Sequence, residues 1–141
     1  MGRIKASLAD VSTEFIPVEP GLYELEIDKI EEAEKNAELV GYRVISLVKS
    51  AGEMFGRKIS DYISIVKKNG EVNEVGLSTL KRYFEVTHGK EVVAEWSDDD
   101  YDTDVLKGKM FQAQVTIESY TPEGETEPRK NNKFKRMEAI G

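Results

Sequence analysis

Residues 75–89 read "VGLSTLKRYFEVTHG". Leu77, Leu80 and Phe84 recur at spacings of three and four, and Tyr83 falls within the same arc. That period belongs to an amphipathic helix, and Gly89 suits its C-terminal cap. On both sides of this segment the period is different. In "GLYELEIDKI", residues 21–30, Tyr23, Leu25 and Ile27 alternate with Glu24, Glu26 and Asp28, as in a half-buried strand. The run from Glu31 to Asn36 either continues that strand or turns. "LVGYRVISLV", residues 39–48, is apolar on both faces, and Gly41 inside it marks a bulge or a sharp bend.

A turn bracketed by Ala51-Gly52 and Gly56 leads to a third strand, "RKISDYISIV", residues 57–66. Ile59, Asp61, Ile63 and Ile65 share one face, and Lys58, Ser60, Tyr62 and Ser64 the other. Lys67-Lys68-Asn69-Gly70 closes it with a strong turn pair. Beyond the helix, "EWSDDDYDTD" reads as an exposed loop, and Thr103 to Lys107 as a short helical turn before Gly108. Met110 to Tyr120 is the cleanest alternation in the chain: Phe111, Ala113, Val115 and Ile117 against Gln112, Gln114, Thr116 and Glu118. In the last strand, "KFKRMEAI", Phe134 and Met137 fall on opposite faces of an ideal strand. A bulge or a one-residue slip is therefore expected there.

Three strands, one helix and two strands is the layout of a five-stranded OB-fold barrel, mainly β, with its helix between strands 3 and 4. In that fold oligonucleotides bind on the strands 2–3 face and on the loops joining strands 1–2 and 4–5. Those loops are expected at Glu31–Glu38 and Thr121–Asn132. The expected organisation is a flexible N-terminal arm over residues 1–15 and a single OB-fold domain over 16–141.

The formal net charge is −7, yet "RKNNKFKR", residues 129–136, holds five cations around one ring. Residues 91–104 hold seven acids and no base, and removing them leaves 20 acids against 20 bases. Charge is thus segregated, which permits a locally positive face on an acidic protein. Binding a single strand without sequence preference needs cations along the phosphates and rings under the bases. The candidate cations are Arg43, Lys49, Arg57, Lys58, Lys67, Lys68, Arg129, Lys130, Lys133, Lys135 and Arg136. The candidate rings are Tyr42, Tyr62, Tyr120 and Phe134. Each also has a plainer reading. Tyr42 shares a face with Val44, Phe134 suits a core, Lys67-Lys68 suits a solvated turn, and a charged last strand suits an edge guarded against aggregation.

Several chemistries find no support. There are no cysteines, so no disulfide and no thiolate metal site. A single His88 leaves a Ser-His-Asp or two-histidine site hard to build. Counted from Asp98, a calcium loop would need glycine where Thr103 stands and glutamate where Lys109 stands; counted from Asp100 those places hold Val105 and Phe111. Gly89-Lys90 and Gly108-Lys109 lack the hydroxyl and the upstream glycine of a phosphate loop. Ala6 occupies the Ser/Thr position of a myristoylation signal. No apolar run approaches the ~18 residues of a membrane span, and the first residues lack a signal-peptide core. The expectation is a non-enzymatic protein with no cofactor or metal, away from membranes and inside the cell.

"PGLYELEI", "GRKISDYI", "LKRYFE", "LKGKMFQAQV" and "NKFKRMEAI", in that order and spacing, resemble a family of small bacteriophage and prophage OB-fold single-stranded DNA-binding proteins. The resemblance covers roughly residues 16–141. It implies coating of single-stranded DNA in phage replication or recombination, in the host cytoplasm, with replication or recombination proteins as further partners. Many such proteins end in an acidic tail. Residues 137–141 show none: recruitment is absent, or a tail lies beyond residue 141, or the internal acidic segment 95–104 stands in; that segment is also a candidate mimic that covers the basic groove. A homodimer is compatible with the sequence. The alternatives are an OB-fold protein-interaction module that never touches nucleic acid, and an RNA binder with the same surface chemistry.

Overall fold

The computed structural model describes residues 16–140, so the expected arm over 1–15 lies outside the described residues. Five strands form one antiparallel sheet: β1 (Gly21–Lys35), β2 (Glu38–Val48), β3 (Lys58–Ser64), β4 (Met110–Tyr120) and β5 (Arg129–Glu138). Their order across the sheet is β3-β2-β1-β4-β5. Helix α1 (Glu74–His88) lies between β3 and β4, as the change of period requires, and a short helix α2 (Lys90–Ala94) follows it. Asn73 caps α1 by accepting from the Gly76 N–H at 3.2 Å, and the Gly89 N–H closes the other end on the Glu85 carbonyl at 2.9 Å.

β1 is longer than its pattern predicts. Glu31–Lys35 is a poor strand sequence by propensity. It is nevertheless held by pairing with β2, from Glu31↔Arg43 to Lys35↔Glu38. Asn36 and Ala37, both at positive φ, then make a tight two-residue turn. The loop expected over Glu31–Glu38 is therefore almost entirely strand. The 4–5 connection is likewise shorter than expected, because Arg129–Asn132 already belong to β5.

Three irregularities bend the sheet. Asp28 is an extra residue in β1, and Val40 is one in β2, next to the Gly41 that signalled it. In β5, Gln114 faces Arg136 while Val115 faces Phe134, so Lys135 is the bulged residue. This resolves the conflict in the last strand: with Lys135 looped out, Phe134 and Met137 both pack on the core. The sheet curls far enough that its edge strands, β3 and β5, approach within 8 Å between Cα atoms. Among the described residues no hydrogen-bonded ladder joins them.

Inside the curl, Leu25, Ile27, Val44, Val48, Ile59, Ile63, Phe111, Ala113 and Val115 form the core. α1 closes one end with Tyr83 and Phe84. Tyr83 meets Phe111 edge-on at 5.6 Å, and Phe111 meets Phe134 edge-on at 5.6 Å. Asn132, also buried, accepts from the Val18 N–H and donates to the Val18 carbonyl, each at 2.8 Å. It thereby fastens the entry segment to β5. The acidic stretch is more ordered than a plain loop. Trp96 and Tyr101 stack edge-on with Phe84 at 5.7 and 5.3 Å, and Asp98–Asp100 and Thr103–Val105 form single 3-10 turns. Leu106, which carried no clear signal, is fully buried.

Candidate nucleic-acid interface

The outward residues of β2 and β3 pair across the ladder as Lys58↔Leu47, Ser60↔Ile45 and Tyr62↔Arg43. Their neighbours Ile59, Ile63, Val44 and Val48 point inward and are buried. Lys49 continues the same phase past the end of β2. The result is one continuous outer stripe carrying Arg43, Lys49 and Lys58 beside Tyr62.

Tyr62 is 45% exposed, and its seat is specific. Its ring lies across Gly41. A Cβ on Gly41 would stand 2.6 Å from the Tyr62 hydroxyl oxygen and 2.5 Å from the Ile63 carbonyl. Only a residue without a side chain lets the ring lie flat along the strand. Arg43 holds its guanidinium 5.6 Å from the Tyr62 ring centroid and donates to Ser60 Oγ at 3.1 Å. An exposed cation–π contact contributes about 0.5–1 kcal/mol. A base stacked on the ring contributes about 1–3 kcal/mol. The guanidinium contact is thus the weaker of the two, and a flat group stacking on the ring would outcompete it. Gly41→Ala is expected to lower stability by about 1–3 kcal/mol through this overpacking, read as a drop in melting temperature.

Lys49 pairs with Glu26 at 3.1 Å, Lys133 with Glu118 at 3.6 Å, and Arg129 with Glu125. The Lys133 and Arg129 pairs are solvent-exposed, and the Lys49 pair is about one-third exposed. Such pairs contribute about 0–1 kcal/mol, so a phosphate can replace the carboxylate at little cost. Lys133 stands at the seam between β5 and β3: its charge helps to hold down the carboxyl of Asp61 on β3. Asp61 points inward and accepts from the Tyr83 hydroxyl at 2.6 Å. Loss of water outweighs both stabilising contacts, so the Asp61 pKa is raised. Burial, the Asp61 charge and the same hydrogen bond hold Tyr83 well above the usual tyrosine range.

The remaining expected residues separate. Lys135 and Arg136 are exposed and line a shallow depression of about 520 Å³ on the outside of β1, β4 and β5, with Leu22, Gln114, Thr116 and Glu138. Lys130, Arg129 and the half-exposed Tyr120 stand at the far end of the β4–β5 hairpin. Arg57 is half-buried and donates to the Ile16 carbonyl, with Met54 Sδ at 3.8 Å, so it braces the chain entry. Lys67 and Lys68 are exposed in the turn between β3 and α1. Phe134 is committed to the core through Phe111. Tyr42 faces inward and lines a small apolar groove with Leu77, Leu80, Phe84 and Tyr101; burial and the Glu32 charge raise its pKa. Among the described residues, Asp98–Asp104 form no ion pair with the stripe, and Tyr101 ties that stretch to α1.

One exposed ring beside the stripe was not anticipated. Phe55, in the turn between β2 and β3, is 59% exposed, with Lys49 Nζ 5.8 Å from its centroid. The available signal was a phenylalanine inside a glycine-bracketed turn, where no core face exists. No group of three or more His, Asp or Glu side chains gathers as a metal site, and no helix is long and apolar enough to cross a membrane, among the described residues. No family model and no curated protein matches this chain.

Proposed function

We propose that this chain is an OB-fold single-stranded DNA-binding protein of the bacteriophage type, acting without catalysis by coating exposed strands. The observation that carries this reading is the outer β2–β3 stripe, where Arg43, Lys58 and Lys49 accompany the seated ring of Tyr62. It is the surface on which OB folds hold oligonucleotides. Closure into a barrel across the β3–β5 seam is part of the proposal. It is supported by the nearness of those strands and by the reach of the Lys133 charge to Asp61. Closure would place Lys133 next to the stripe and carry a cationic path toward Lys135 and Arg136. The four glutamates of the β1–β2 hairpin, Glu31, Glu32, Glu34 and Glu38, would repel phosphates and bound the path on the other side.

The test is a fluorescence anisotropy titration with oligo-dT beside duplex DNA. Oligo-dT is expected to bind and duplex to bind far more weakly. Log affinity should fall with log salt with a slope of roughly −2 to −4, as about three to five phosphate contacts on a single strand require. A flat salt response removes the electrostatic basis of the proposal, and absence of binding removes the proposal itself. A second reading, a protein-interaction module, draws on the apolar groove under Tyr42 and on Leu77, which is 41% exposed beside it. The same titration separates the two, since that module leaves oligo-dT unbound.

A further inference from the structure

We propose that Phe55 is a second base-stacking platform, so that a bound single strand runs lengthwise along β2 with one base on Tyr62 and a later base on Phe55. This rests on the single-strand-binding reading above. The argument begins with phase. Arg43 on β2 and Lys49 just past its end are six residues apart, with no register shift between β2 and β3 over Arg43 to Leu47, so the two continue one phase. Each is paired with an exposed ring, Arg43 with Tyr62 at 5.6 Å and Lys49 with Phe55 at 5.8 Å. The same unit of one cation over one ring thus occurs at both ends of one strand face, about 20 Å apart at the rise of an extended chain. Between them on the outer face lie Ile45, Leu47, Ser60 and the exposed Lys58, with no acidic side chain; the one acid of that interval, Asp61, points inward to Tyr83.

Phe55 is also held in place. The Gly56 N–H donates to the Val48 carbonyl at 2.8 Å, the Arg57 N–H to the Met54 carbonyl at 3.0 Å, and the Phe55 N–H to the Gly52 carbonyl at 3.2 Å. The neighbouring Met54 packs against the core, whereas the Phe55 ring does not belong to it. A large ring left in water on an ordered turn, next to a lysine whose ion pair is weak, matches what stacking on a sequence-tolerant site requires. Because the ring is outside the core, its removal leaves the fold intact, and a melting curve checks this.

The experiment titrates the unaltered protein, Phe55→Ala, Phe55→Trp and Tyr62→Ala with oligo-dT of about three to twelve nucleotides. Phe55→Ala is expected to weaken binding of the longer oligomers by about 5- to 150-fold. Phe55→Trp should restore it, because any aromatic face serves. Irradiation of a long oligomer carrying 5-iododeoxyuridine should give an adduct mapping to Phe55. If Phe55→Ala binds long oligomers within about twofold of the unaltered protein while Tyr62→Ala is weakened, the second platform is overturned and the single-strand reading stands. If Phe55→Trp fails to restore a loss, the ring is not what mattered, and the proposal also falls. If the unaltered protein binds no oligomer, both readings fall together.

Discussion

Gly76→Ala is expected to destabilise the protein by about 3 kcal/mol or more, the upper end of what overpacking costs. In an exposed helix the same change stabilises by about 1 kcal/mol, because glycine is the poorer helix former. The sign is reversed here by a close approach. Gly76 is buried in the first turn of α1, its N–H bonded to Asn73, and its backbone lies directly against the Ser64 carbonyl at the end of β3. A methyl group there would overlap that carbonyl oxygen, which is backbone and has no rotamer to yield. Relief would require α1 to move away from β3, taking Tyr83 and Phe84 out of the core they close. Chemical denaturation should show a lower midpoint for Gly76→Ala. Val75→Ala, one residue earlier and 78% exposed, should stay within about 0.5 kcal/mol of the unaltered protein. Equal stability of Gly76→Ala and the unaltered protein would mean that α1 does not dock on β3 in this way.

Asp61→Ala is expected to cost about 1–3 kcal/mol at neutral pH, because it leaves the Tyr83 hydroxyl without its acceptor in a fully buried position. Asp61→Asn keeps an acceptor oxygen and removes a charge that the site holds poorly. It should therefore match or exceed the unaltered protein at neutral pH. The pH dependence follows from the direction of the shift. The Asp61 pKa is raised in the fold, so the folded state holds this proton more tightly than the unfolded chain. The resulting stability is fully present below the unfolded value near 3.9 and is lost as pH rises through the folded value. Denaturation of Asp61→Asn should lack that decline across the interval above 3.9, with the other carboxylates contributing alike to both proteins. Identical pH profiles would contradict the desolvated carboxyl. A large loss in Asp61→Asn would show that the Asp61 charge, facing Lys133 across the seam, stabilises the fold.

How much was legible beforehand follows the range of the interactions. The inward faces of β1 and β3, and of β4 as far as Val115, were read correctly because alternation is local: each side chain's side is set by its neighbours in sequence. Ile117, expected on the same face, is 39% exposed near the end of β4. The bulge in β5 was legible because Phe134 and Met137 made contradictory demands on a regular strand. The length of β1 was not, since Glu31–Lys35 is strand only through its partners on β2. The aromatic anchoring of the acidic stretch was missed for a related reason: its charges advertise solvent, while Trp96 and Tyr101 act on a helix some distance away in the chain. At the candidate site, Tyr62 and Lys58 followed from their phase on β3. Arg57 and Phe134 differ because their partners, the Ile16 carbonyl and Phe111, are long-range.

By itself the sequence determined the order of the five strands and α1, the glycine that ends that helix, and which side of β1, β3 and β4 faces inward, since these depend on residues within a few positions of one another. Only the tertiary structure decided which cations gather. "RKNNKFKR" divides among the hairpin end, the β3–β5 seam and the outer depression, while Arg43, Lys49, Lys58, Tyr62 and Phe55 converge on one face. The reason is that convergence is set by cross-strand register and by the curl of the sheet, and both are fixed by pairings between residues far apart in the chain.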